Sequence, residues 1–426
     1  MLDPTVITAY IDVLREELLL ATGCTEPIAI AYAAALLRKA LECIPERVRA
    51  DVSGNIIKNV KSVIVPNTNR LKGIPAAIAA GIIAGEADQH LQVISRIPSS
   101  AHEGIARYAQ NTPMDIVCAD TPWQLDIQLT GWAGAHSALV RIAMSHNHVV
   151  RIERDGEVLE EHPLPAPEAS SEDSRSFMTV EGILEFAETV PLDRVRDLLD
   201  RQIDCNETIA QDGLEADWGA NIGSVILRDF PGDIKTEARA WAAAGSDARM
   251  SGCERPVVIV SGSGNQGITA SVPVIRYARH LGTGQDKLYQ ALLVSNLVTI
   301  HQKSGIGRLS AYCGAVSAGV GAGAGIAYML EGTYTAIANT IINAVAILSG
   351  TICDGAKPSC AAKIASSVDA GILGYQMYRN NQRFHGGDGI VTHGVEDTIA
   401  NVGVLAKQGM EETDRVILDI MTTRCD

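Results

Sequence analysis

Apolar residues recur at helical spacing from Asp3 to Leu20, where Ile7, Tyr10, Ile11, Leu14 and Leu18 share one face. Asp3 and Pro4 suit the N-cap and first position of that helix, and Gly23 its C-terminal stop. A second helix, PIAIAYAAALLRKALE, is expected behind Thr25 as cap, with Pro27 in the first turn where a missing N–H is harmless. Between about residues 48 and 160 the period changes. DIQLTG, HSALVRIAM and HVVRIERDGEVLEEHP alternate and are rich in β-branched residues, which predicts strands; GIPAAIAAGIIAG and AHEGIARYAQ predict helices. Residues 161–177, EHPLPAPEASSEDSRSF, read as a linker, and helical spacing then continues almost to residue 420. The pattern predicts a mainly α fold with an inserted α+β domain: 1–47 and 178–426 form a helical catalytic domain, and 48–160 the insert.

Between Leu309 and Cys353 the only charge is Glu331. The segment is dominated by Gly, Ala and Ser and lacks aromatic belts or flanking basic loops, so a buried central helix pair is expected rather than a membrane span. Composition agrees: 46% of residues are apolar but only 4% aromatic, with 39 glycines, which suits helices in close approach and leaves a homodimer open. A formal charge of −15 repels phosphate backbones and anionic lipids, excluding nucleic acid and membrane surfaces as expected partners and leaving a small-molecule substrate. MLDPTVITAY carries no export pattern, so a cytoplasmic location is expected. Nine scattered cysteines in so long a chain are expected to be reduced.

Gly262, Gly264 and Gly267 satisfy G-x-G-x-x-G, but no second strand precedes Asp286, so the dinucleotide-binding βαβ unit is missing. The same loop, SGSGNQG, makes a better carboxylate cradle: its glycines free N–H groups at a helix start, and Ser263, Asn265 and Gln266 add side-chain donors. Such loops also hold amino-acid carboxylates in one class of pyridoxal-phosphate lyases, for which Lys235 is the available Schiff-base lysine. Cys353 and Cys360 lie seven apart across a turn with Gly355 and Pro358; with Cys313 they make three soft donors and no obvious fourth, as in zinc or iron–sulfur sites with an open position. Buried free cysteine is the competing explanation. His146 and His148, two apart, would share a strand face, either at a site or in solvent, and His385 with Asp388 lies in a glycine turn. His393 would cap the helix after it.

Taken in order, GCTEP, SGSGNQG, YCGAVSAGVGAGAG, ICDGAKPSC and HGGDGIV resemble the iron–sulfur L-cysteine desulfidase family, relatives of the iron–sulfur L-serine dehydratases. The resemblance implies a 4Fe–4S cluster on Cys313, Cys353 and Cys360, and Cys24 as proton acceptor. It implies release of sulfide from L-cysteine with pyruvate and ammonia, by an oxygen-sensitive lyase with an open iron. The short Cys353–Cys360 interval leans towards the desulfidase branch. The helix start behind Cys24 is expected to favour its thiolate, against Glu26, and Cys425 on the tail is a further thiol for the open iron. Dehydration of L-serine, a pyridoxal-phosphate lyase and a non-catalytic iron–sulfur sensor stand as alternatives.

Overall fold

A computed structural model describes residues 2–164, 175–230 and 232–423, so most of the expected linker and Cys425 lie outside the described residues. Helix α1 (Pro4–Glu17) starts as expected, with Asp3 accepting the Thr5 N–H at 2.8 Å. It stops well before Gly23, because residues 20–22 leave it as strand β1 (Leu20–Thr22) to pair antiparallel with residues 256–258. Gly23, at φ +75°, instead turns β1 into α2 (Thr25–Leu41), and the N-cap of α2 is Cys24 rather than Thr25. An added Cβ at Gly23 would lie 2.2 Å from Pro66 Cγ, so only glycine fits this turn.

The alternating stretch folds as β2 (Arg47–Val52), α3 (Gly54–Val60), α4 (Gly73–Ala84), α5 (His102–Asn111), β3 (Met114–Cys118), β4 (Asp126–Ala133), β5 (His136–Ala143), β6 (Val149–Arg154) and β7 (Glu157–Glu161). The strands form one sheet in the order β3-β2-β4-β5-β6-β7, parallel only between β2 and β3. Register explains the pattern: Ile127 pairs with Ile142 and Leu129 with Val140, and all four are buried. Helix α2 packs on β4 and β5, so the preceding segment supplies a cover for this sheet. At the outer edge, β7 is exposed throughout and carries three glutamates, which discourage further pairing.

The rest is helical: α6 (Val180–Thr189), α7 (Arg196–Glu215), α8 (Ile222–Asp229), α9 (Ile234–Met250), the short β8 (Pro256–Val258), α10 (Gly264–Leu281), α11 (Gln285–Ile306), α12 (Gly314–Leu330), α13 (Tyr334–Leu348), α14 (Cys360–Arg379), α15 (Val395–Val404) and α16 (Glu411–Thr423). The low-charge stretch forms α12 and α13, and α12 is enclosed by α10, α11, α13 and α14. Neighbours on every side explain why α12 is apolar all round. Among the described residues no helix is long and apolar enough to cross a membrane. The described residues are therefore mainly α, with one six-stranded mixed sheet and the two-stranded β1–β8 pair.

Close approach of α12 and α14 depends on missing side chains. A Cβ at Gly371 would lie 2.2 Å from the Gly319 carbonyl oxygen. Gly371→Leu is expected to lower stability by about 3 kcal/mol through overpacking. Gly350→Ala, with nothing within 4 Å, serves as control. Urea unfolding checks this, and equal midpoints for the two variants would show that the helices can part at no cost.

Candidate active site

Four segments line one cavity: the start of α2, the loop into α10, and the two loops that carry Cys313 and Cys353–Cys360. Backbone bonds set the positions. The Ile259 N–H donates to Leu19 O at 2.9 Å, extending the β1–β8 pairing up to the glycine loop. Within that loop Val260 and Ser263 exchange both backbone bonds around Ser261 and Gly262, and α10 begins at Gly264. Elsewhere, the Cys313 N–H donates to Thr351 O at 3.1 Å and the Cys353 N–H to Ala311 O at 2.6 Å, zipping together the two cysteine loops. Cys313 is then the N-cap of α12 and Cys360 the first residue of α14.

Arg249, at the end of α9 and only 3% exposed, joins the first two segments. Its Nε donates to Gly23 O at 3.1 Å and its Nη1 to Asn265 Oδ1 at 3.1 Å. Gly264 makes room for it, since a Cβ there would lie 2.2 Å from Arg249 Nε. Ser263, Asn265 and Gln266 all line the cavity. The Ser263 hydroxyl caps nothing, and Asn265 Nδ2 makes only a weak contact with Met250 Sδ at 3.7 Å. Gln266 Oε1 is buried with no hydrogen-bond partner, and so is the Tyr312 hydroxyl. Buried polar atoms without partners are uncommon and call for a ligand or water.

The cysteines meet here as well. Cys313, Cys353 and Cys360 line the cavity, and burial, then the nearby Cys353, pushes the Cys313 thiol up to about 12. Among the described residues, no three His, Cys, Asp or Glu side chains are gathered tightly enough to hold a single metal ion. Cys24 lies just behind the wall, packed with Val63, Met250 and Ala356 and against Cys360. Its Sγ is 3.9 Å from Met250 Sδ. The expected thiolate character is corrected: burial pushes Cys24 up to about 12, Arg249 pulls it down, and Glu26 and Cys360 push it further up. Desolvation outweighs the helix start.

Several wall residues carried no sequence signal. Lys303, on α11, is 5% exposed and held down to about 8, first by burial, against the pull of Cys353 and Cys313. Arg308 reaches the same wall and pairs with Glu16 and Glu17. Glu26 lines it too, its carboxyl raised by burial. His146 was expected on a strand, facing the same way as His148. In fact β5 ends at Ala143 and both histidines lie in the turn before β6; His146 is buried and reaches within 4.0 Å of Glu26 Oε1. His148 bonds only its own turn, at Ala143 O. Lys235 is off the cavity, paired with Asp369 at 3.1 Å. His385 and Asp388 form an exposed turn, and the N-cap of α15 is Gly394 rather than His393.

Burial, with Arg308 and Arg249 close by, holds His146 at about 3 instead of 6.5. The unfolded chain therefore takes up a proton near pH 6.5 that the folded chain refuses, and stability falls as pH drops from about 6.5 towards 3. His146→Gln is expected to flatten that fall. Urea midpoints at pH 7 and pH 5 test it; an unchanged difference between them would exonerate His146.

A family model described as "Serine dehydratase alpha chain" matches residues 77–419. A UPF0597 protein of Desulfitobacterium hafniense is 54% identical over 416 residues, covering 98% of this chain and 97% of the relative. Those of Treponema denticola and Lachnoclostridium phytofermentans are 44% and 47% identical, covering 99% and 96% of this chain and 99% and 98% of their own. With the fold, the glycine loop and the cavity in view, the chain belongs to the serine dehydratase alpha-chain family, whose chemistry is that of a lyase.

Proposed function

We propose that this protein is an iron–sulfur lyase that eliminates sulfide from L-cysteine, leaving pyruvate and ammonia. The observation that supports it is the convergence of three cysteines and a carboxylate-binding loop on one cavity. Three thiols, with no histidine and Glu26 as the one carboxylate among the lining residues, suit a soft metal such as the iron of a cluster. Cys313, Cys353 and Cys360 hold a 4Fe–4S cluster in this reading. When bound, the cluster supplies an open iron as Lewis acid for the departing group.

The chain's own groups do the rest. Ser263, Asn265 and the free N–H groups at the start of α10 take the substrate carboxylate, Asn265 giving up its weak contact with Met250. Cys24 handles the α-proton; its thiolate, once formed, is a strong base, and Arg249 stabilises it. As the α-proton leaves, the Cβ–S bond breaks and its electron pair departs with sulfur. The released aminoacrylate tautomerises and hydrolyses. Loss of water from L-serine follows the same course with a different leaving group, and the family match favours that second reading. A pyridoxal-phosphate route finds less support, because Lys235 is paired with Asp369 away from the cavity.

Protein purified without oxygen is expected to carry iron and labile sulfide, no pyridoxal phosphate, and to form pyruvate from L-cysteine faster than from L-serine. Pyridoxal phosphate at one per chain without iron would sink the proposal, and faster turnover of serine would move it to the second reading. Cys353→Ser should lose iron. Cys24→Ser should keep it while turnover drops by about 10²–10⁴, the usual loss when a proton-transfer group is removed.

A further inference from the structure

Charge is unevenly divided around the cavity. Arg249, Lys303 and Arg308 bring three cations to its wall, and Glu26 is its one carboxylate among the described residues. Glu26 has no lysine or arginine within salt-bridge distance there. Its hydrogen-bond donors are neutral, Thr25 Oγ1 at 3.1 Å and Asn59 Nδ2 at 3.3 Å. Its own backbone N–H also bonds it, and His146 Nε2 lies 4.0 Å away, itself buried and without a hydrogen-bond partner. Arg249 and Lys58 act on this carboxylate only from beyond salt-bridge distance, so in direct contact it is half of an ion pair. In the same cavity Gln266 Oε1 is a buried acceptor with no donor. What both lack is one small group that brings several N–H donors and a positive charge.

We propose that Glu26 receives the α-ammonium of the substrate, with His146 behind it as a positioning residue, so that the pair selects amino acids over analogues lacking the amino group. The inference rests on the lyase reading above and deepens it. The cations and the loop lie elsewhere on the same wall, so a zwitterion has a partner for each charge. A small closure lets His146, as the Nε2–H tautomer, donate to Glu26 Oε1. Being neutral, the imidazole orients the carboxylate without cancelling the charge an ammonium needs. Gly262, at φ +78°, makes the approach possible: a Cβ there would lie 3.0 Å from His146 Cε1. The sheet thereby contributes to recognition through the single turn that carries His146.

L-alanine and propionate differ only by the amino group and have nothing to eliminate, so calorimetric binding of the two isolates the ammonium contribution. Oxygen-free holoenzyme of measured iron content is expected to prefer L-alanine. Glu26→Gln should lose about ten- to hundred-fold of that preference, as for a hydrogen bond to a charged group, with propionate affinity and iron content unchanged. His146→Gln should lose a smaller part of it and raise KM more than it lowers kcat. If Glu26→Gln does not fold, Glu26→Asp, which withdraws the charge by one methylene, should still narrow the preference. A preference that survives in the folded Glu26 variant, or is missing in the wild type, overturns the proposal. A clear preference without pyruvate from cysteine or serine would leave this site standing and refute the lyase reading instead.

Discussion

The buried Arg249 guanidinium is the interaction on which the site depends. One fork holds the Gly23 carbonyl and the other Asn265, so the turn before α2 and the loop before α10 are fixed to each other through one planar group. A lysine would have to reach both acceptors from one nitrogen, whereas the guanidinium offers two in a fixed plane. The same charge acts at a distance, lowering the cost of a Cys24 thiolate and of ionised Glu26, and it adds to the burial and the Arg308 charge that keep His146 neutral. Gly264 matters because it leaves room for this guanidinium, and Gly23 because only glycine makes the turn whose carbonyl it holds.

Local pattern was enough for most of the fold. The Ile127 and Leu129 alternation, the Asp3-Pro4 start and the small-residue helices all encode their structure within a few residues, and they appear where the sequence puts them. Errors fell where a distant partner decides. The end of α1 is set by residues 256–258, so Gly23 could not be told from a helix stop by its neighbours. His146 and His148 have the spacing of a strand face but sit in a turn, because β5 stops at Ala143.

For the candidate site, the residues in compact motifs were legible: Cys313, Cys353, Cys360 and the Ser263–Gln266 loop do share a cavity. Arg249, Lys303 and Arg308 were not, since each is an ordinary basic residue near a helix end whose importance comes from what packs around it in the fold. The thiolate expectation for Cys24 failed for the same reason. A helix start is visible in sequence, whereas the Val63, Met250 and Ala356 packing that desolvates the thiol is not.

The pairing of β1 with β8 also bears on how the molecule is made. Leu20 must wait for Val258, and the turn at Gly23 for Arg249, before either has its native partner. During synthesis the sheet of residues 47–161 has all its strands long before then, while the start of the chain still lacks its own. Such long-range closures form late and leave apolar surface uncovered in the interval. The site is thus among the last parts to assemble, and a nascent chain has its cysteines exposed to the cell's metal and redox chemistry before it has a cavity to enclose them.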